Sequence, residues 1–198
     1  MQKFRKIGIF LLPGQKASEE IYDMKTYYKS FENKQNYLND FPHLTLFHGV
    51  YKDYKTLEKN IKKNINLINE LKNFTYELNR QFIFEDDVEK NFSTLIYLID
   101  NPKPIQTFQL KLLNKFKPFK GSEFLNLSKE FNNDFKKYNY PFVGENLIPH
   151  FTVTNISNLD TSEKNKFLSK NNEIKEKFQD LVVAEVTSKD LKVLENLW

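Results

Sequence analysis

A mixed α+β fold, built as two lobes on one chain, is what this sequence predicts, and three observations predict it. The order strand, helix, strand occurs over residues 7 to 50 and again over 92 to 156. Each run ends in a strand opened by the same Pro-His pair, "PHLTLFHG" at 42 to 49 and "PHFTVT" at 149 to 154. Between these, apolar stripes with helical spacing alternate with short aromatic and β-branched runs. The two runs agree in the order of their elements rather than in identity, as a diverged internal duplication would. The 198 residues are read as one bilobal domain with approximate halves 1–80 and 81–198, with strand exchange between the lobes allowed.

The elements follow in order. "KFRKIGIFLLP" (3–13) is a short apolar run closed by Pro13-Gly14, which suits a buried strand and is too short for a secretory signal. Residues 15–38 are polar and Tyr-rich without breakers, and read as a helix. Pro42 opens the first motif strand, where its missing N–H costs nothing, and Gly49 marks a turn or bulge. Tyr54, Leu57, Ile61, Ile65, Ile68 and Leu71 recur at spacings of three and four, a helical stripe over 53–72 with Asp53 as N-cap. "FTYELNRQFIFED" (74–86) and "FSTLIYLID" (92–100) read as strands. Ile105, Phe108, Leu112 and Phe116 make a helix beginning at Pro104, a residue suited to a first turn. Residues 118–148 are irregular and polar, with a short helix near 122–138, and read as a lid or substrate loop, or as an insertion. Asp160 and Glu163 form a capping box for a helix ending near Phe178, and "DLVVAEVTSKDLKVL" (180–194) closes the chain as one or two strands.

Composition narrows the function. Nineteen Phe and ten Tyr make an aromatic core and exclude a disordered chain. The absence of cysteine excludes a disulfide scaffold, a thiol nucleophile and Cys-ligated zinc. No apolar run approaches the ~20 residues a membrane span needs, so a cytoplasmic monomer is the expectation. The net charge of +4 favours anionic partners. It is almost all lysine, with Arg5 and Arg80 the only arginines, and A/T-rich codon usage accounts for it equally well.

The chemistry lies in the repeated motif. Side chains alternate along a strand, so His43 and Thr45 share one face while Leu44 and Leu46 take the other. His150, Thr152 and Thr154 likewise share a face opposite Phe151 and Val153. An imidazole and a hydroxyl thus stand about 6 to 7 Å apart on each strand. Two such pairs facing across a cleft suit in-line attack on phosphorus. One histidine takes a proton, the other gives one to the departing oxygen, and the threonines hold the non-bridging oxygens. No metal or cofactor is required. A lone His-x-Thr is an ordinary strand sequence; two copies, both preceded by proline, are the signal. His48, at an odd offset from His43, faces away as a structural or surface histidine, so a zinc site built on both lacks a common face. No Gly-x-Ser-x-Gly elbow and no Gly-rich phosphate loop occurs. Phe47 shares the parity of His43 and Thr45, and on a straight strand borders the cleft where a base could stack.

"HLTL" at 43–46 and "HFTV" at 150–153, about a hundred residues apart, resemble the paired motifs of the 2H phosphoesterase superfamily, which includes RNA 2′,3′-cyclic phosphodiesterases and 2′-5′ RNA ligase-like proteins. The resemblance implies two antiparallel-rich sheets flanking a central cleft with helices outside. It implies catalysis by His43, Thr45, His150 and Thr152 on a nucleotide or RNA substrate, without cofactor or metal. The reaction it points to first is hydrolysis of a 2′,3′-cyclic phosphate. Cleavage of 2′-5′ oligoadenylate or cyclic oligonucleotide signals, RNA-end ligation, and nucleotide binding without turnover use the same four residues. The arginine that ligase-like members often carry after the second motif is absent; the strand continues Thr154-Asn155, leaving Thr154 or a distant lysine to meet the phosphate.

Overall fold

β1 (Arg5–Leu12) is the apolar run at the N-terminus, and its residues Ile7 to Leu11 are buried on both faces because it lies inside a sheet. That sheet has the order β10-β9-β1-β3, with β3 (Leu44–Tyr51), β9 (Asp180–Val186) and β10 (Leu191–Asn196), all pairs antiparallel. The second sheet has the order β2-β7-β6-β5, with β2 (Gln35–Asn36), β5 (Arg80–Glu85), β6 (Phe92–Leu98) and β7 (His150–Ser157), again antiparallel. β4 (Thr75–Leu78) and β8 (Ile174–Lys177) pair as a small separate ribbon. In this computed structural model the described residues are 4–86, 90–119, 132–170, 173–187 and 191–198. The sheets cross the halves of the chain: β9 and β10 complete the N-terminal sheet, while β2 crosses to pair with β7.

Helices pack on the sheet faces turned away from the motif histidines. α1 (Gln15–Lys29) and α6 (Thr161–Leu168) lie behind the second sheet, where the Tyr97 hydroxyl donates to Glu20 at 2.7 Å and its ring meets Phe167 at 5.7 Å. α2 (Tyr54–Lys63), the one-turn α3 (Ile65–Ile68) and α4 (Lys103–Phe116) cover the first. α1 starts at Gly14, which has no side chain to cap it. Glu176 of β8 does so instead, accepting from the backbone N–H groups of Lys16 (3.2 Å) and Ala17 (2.9 Å) and from the Tyr76 hydroxyl (2.8 Å).

Several boundaries differ from the sequence reading. α1 stops at Lys29, not 38, because the following residues leave to form β2. The stripe over 53–72 breaks at Asn64, leaving Ile65 exposed, although Asp53 caps α2 as expected, accepting from Lys55 and Thr56 N–H. α6 ends at Leu168, and Ile174–Lys177, expected to be helical, pairs with β4 as a strand. Of the short helix expected near 122–138, α5 (Asn132–Tyr138) is present and the part before 132 lies outside the described residues. Among the described residues no helix is long and apolar enough to cross a membrane.

Both motif strands carry a β-bulge at the same place. The pairing of β1 with β3 runs Phe10↔Thr45 and then Ile9↔Phe47, so Leu46 has no opposite residue. That of β6 with β7 runs Ile96↔Thr152 and then Leu95↔Thr154, which skips Val153. In β3, Gln109 of α4 supports the bulge. Fully buried, it donates through Nε2 to the carbonyls of Leu46 (2.7 Å) and Phe142 (2.6 Å) and accepts through Oε1 from Gly144 N–H (2.9 Å). Gln109→Leu keeps the volume and strands three buried polar groups, so urea unfolding at pH 7 is expected to show a loss of about 2 to 4 kcal/mol. A change below about 1 kcal/mol would show that the bulge holds without it.

Candidate active site

Each motif histidine sits at the start of its strand, after a proline. Proline holds the residue before it extended, and in both motifs the carbonyl of that residue lies beside the histidine ring. His43 Nδ1 is 2.8 Å from the Phe41 carbonyl oxygen, and His150 Nδ1 is 2.7 Å from that of Ile148. A carbonyl oxygen only accepts, so Nδ1 carries the hydrogen in both rings and Nε2 is the nitrogen that exchanges protons. Two sites remote in sequence thus share one tautomer.

The bulges decide what joins the histidines. Thr45 stands opposite Phe10 and His48 opposite Gly8, two residues apart on β1, so Thr45 and His48 share the face toward the cleft. In β7, Thr152 opposes Ile96 and Asn155 opposes Thr94, which places these two together in the same way. Thr45 and Thr152 are half-buried on the histidine faces. Phe47, expected at the cleft, is instead fully buried in the core against Tyr140, because the extra residue Leu46 reverses the parity. Thr154 is displaced likewise: it is fully buried and its hydroxyl donates to the Asn36 carbonyl at 3.1 Å. Phe47 therefore offers no face to a base, and Thr154 no hydroxyl to a phosphate. His48, expected to face away, is on the cleft side with its ring edge-on to Tyr140 at 5.8 Å.

The surroundings of the two histidines differ. His43 stands edge-on to Phe10 at 5.1 Å and near Phe41 at 5.4 Å. Burial pushes its pKa down from the ordinary 6.5 to about 4; the Phe41 carbonyl opposes the shift, and electrostatic repulsion from Lys25, His150 and His48 adds to it. β3 and β7 lie in contact across the two sheets, and His43 feels both His48 and His150, so the three imidazoles stand near one another although they come from both sheets. Lys25 of α1 is buried, 4% exposed, and its Nζ donates to the Tyr37 carbonyl. Burial lowers its pKa to about 8, against the pull of Asp40. Lys25 thereby anchors the segment that leads from β2 through Phe41 to His43. His150 has Phe84 at 5.9 Å. Behind the Thr152 row, Asn155 donates to the Thr94 hydroxyl at 2.8 Å and accepts from Asn36 at 2.9 Å.

Sequence reasoning missed His48 on this face and the buried Lys25 and Asn155 that support it. Setting "HLTLFH" beside "HFTVTN" aligns His48 with Asn155, which was the available signal. Lys25 had none, since it is one of many lysines and only its burial distinguishes it. The two described hollows, one between α1 and α6 and one bordered by Glu70 and Lys103, touch none of the three histidines.

No family model matches the chain, and no curated protein matches it in sequence. Solved structures do match it in shape along nearly its whole length. TT0787 of Thermus thermophilus superposes with a TM-score of 0.58 at 11% identity, over 96% of this chain and 96% of that one. Escherichia coli LigT, solved with 3′-AMP, gives 0.53 at 9% identity over 99% and 97%. Usb1 of Kluyveromyces marxianus, solved with uridine monophosphate, gives 0.50 at 14% identity over 96% and 99%. At such identities the likeness speaks for the fold alone: this chain has the α+β fold of TT0787, LigT and Usb1.

Proposed function

We propose that the chain is a phosphodiesterase that opens the 2′,3′-cyclic phosphate of a nucleotide or RNA end, with His43 and His150 as its acid–base pair. The observation that carries this reading is the repeated arrangement in which each imidazole is held through Nδ1 by the carbonyl two residues back, leaving Nε2 for proton exchange. Such a pair can take a proton at one end of an in-line displacement and supply one at the other. The nucleotides bound in LigT and Usb1, which share the fold, support a substrate of this class.

The step balances without a cofactor. His43, kept neutral at pH 7 by burial, takes a proton from water through Nε2 while the water oxygen bonds to phosphorus. The bond from phosphorus to one ring oxygen breaks, and His150 gives that oxygen a proton. Thr45 and Thr152 donate to the non-bridging oxygens as negative charge builds there. The product is a phosphate monoester.

Incubation with 2′,3′-cyclic nucleotides in EDTA, with products resolved by chromatography, tests the reaction. Ring opening is expected from the wild type, with a loss of about 10²- to 10⁴-fold in His43→Ala and in His150→Ala. Equal turnover in a folded double variant would refute the assignment. As base, His43 must be unprotonated, so kcat/KM is expected to rise with pH through about 4. A fall through the same region would exchange the two roles.

Stability carries the same signature. The unfolded chain protonates His43 near 6.5 while the folded chain resists until about 4. The unfolded state therefore binds more protons between these values, and the contribution present above 6.5 is lost as pH falls through 4. The difference in unfolding free energy between wild type and His43→Gln is expected to shrink over that window. A difference independent of pH would mean that His43 is not neutral in the folded state.

A further inference from the structure

The face of the second sheet that bears His150 continues past the catalytic pair into an open aromatic surface. β5 is the edge strand, and its alternate residues Arg80, Phe82 and Phe84 stand opposite Leu98, Ile96 and Thr94 of β6. These in turn stand opposite His150, Thr152 and Asn155 of β7. Cross-strand partners share a face, so Phe82 and Phe84 lie on the same surface as His150 and Thr152. The Phe84 ring reaches to 5.9 Å from the His150 ring, and the Phe82 ring lies 5.1 Å from Phe84. The three rings make a continuous row from the histidine to the sheet edge.

Exposure alone is ordinary: Phe4 is 54% exposed and Phe82 45%, and scattered apolar side chains need no explanation. The row is what distinguishes Phe82. Aromatic side chains shown on an edge strand also invite unwanted strand pairing, a hazard that proteins blunt unless the surface has work to do. The occupant must be flat, apolar on its faces and attached to the anion that the histidines would hold. A nucleobase meets all three conditions. Arg80 stands on the same face at the level of His150, its side chain 61% exposed and ion-paired with Asp100 at 2.8 Å. It places a cation where a sugar–phosphate backbone would leave the cleft.

We propose that this face is a stacking platform for single-stranded nucleic acid, with the terminal base against Phe84 and the preceding base on Phe82. The preferred substrate is then the 3′ end of an RNA strand at least two nucleotides long, with a mononucleotide accepted more weakly. A base-paired end is excluded, because its bases are stacked in the duplex and cannot be laid on a sheet. The inference rests on reading the cleft as a phosphodiesterase site.

The test compares binding of a single-stranded tetranucleotide ending in a 3′-phosphate with binding of the matching 3′-mononucleotide, by competition against a fluorescent tetranucleotide. Wild type is expected to prefer the tetranucleotide. Phe82→Ala is expected to reduce that preference about 10-fold, within the range of losses seen when base-stacking aromatics are removed. Phe82→Trp is expected to retain it, and Phe4→Ala, altered elsewhere on the surface, to leave it unchanged. An unaltered preference in Phe82→Ala, or equal binding of a blunt duplex end, overturns the platform. Ring opening of a cyclic mononucleotide by the wild type, assayed in parallel, tests the cleft chemistry separately, so a lost platform and a lost reaction are told apart.

Discussion

The hydrogen bond from each motif histidine to the carbonyl two residues before it is the constraint on which the rest of the site depends. An imidazole on an open strand face turns freely about two torsions and can carry its proton on either nitrogen. The bond removes both freedoms together: it sets the ring plane and assigns the hydrogen to Nδ1. Proline is the local device that makes it possible, since it holds Phe41 and Ile148 extended and lacks an N–H that would need a partner at the strand end. Everything beyond this serves to bring two such histidines, one from each sheet, to the same place.

The bulges are the second constraint, and they explain why the strands after the motifs differ from simple alternation. An extended strand keeps its parity, so a single face would carry His43, Thr45 and Phe47. Adding one residue after the threonine sends Phe47 and Thr154 to the core side and turns His48 and Asn155 to the histidine side, where His48 is half-buried and Asn155 is fully buried and tied to Thr94 and Asn36. Core and cleft both gain. The first lobe receives a large aromatic side chain at its centre, the cleft side receives His48, and the second sheet gains the buried, hydrogen-bonded Asn155. A bulge leaves backbone groups outside the ladder, and in β3 the buried amide of Gln109 meets the Leu46 carbonyl at that point. The bulge is therefore supported from a helix more than sixty residues away in sequence.

What could be read in the sequence follows from the range of the interactions concerned. The alternation of two apolar and two polar positions in each motif is local, and it placed the histidine–threonine pairs on common faces. The cap of α2 by Asp53 and the first turn of α4 at Pro104 are local as well. The end of α1, the break at Asn64 and the strand at Ile174–Lys177 are decided by partners far along the chain. β2 exists because β7 offers an edge, and β8 because β4 does. The bulges belong to this second kind, and so does every consequence drawn from parity beyond them. Lys25 shows the limit most plainly, because nothing in its neighbours marks it and its role comes from being buried beside Tyr37.

A duplicated motif poses a problem that the divergence between its copies resolves. Two identical histidines in identical settings would titrate together, and acid–base catalysis needs one of them neutral while the other is charged. The backbone geometry is the same in both copies, so the difference must come from the surroundings. Around His43 burial beside Phe10 keeps the ring neutral and repulsion from Lys25 adds to it, while the Phe41 carbonyl pulls the other way. The position equivalent to His48 in the second copy is Asn155, an amide tied to Thr94 and Asn36. The two strands thus share the bond that fixes the tautomer and differ in the side chains that surround it. On this view the residues that make the copies hard to align, Phe47 against Thr154 and His48 against Asn155, are where a symmetrical scaffold acquires direction.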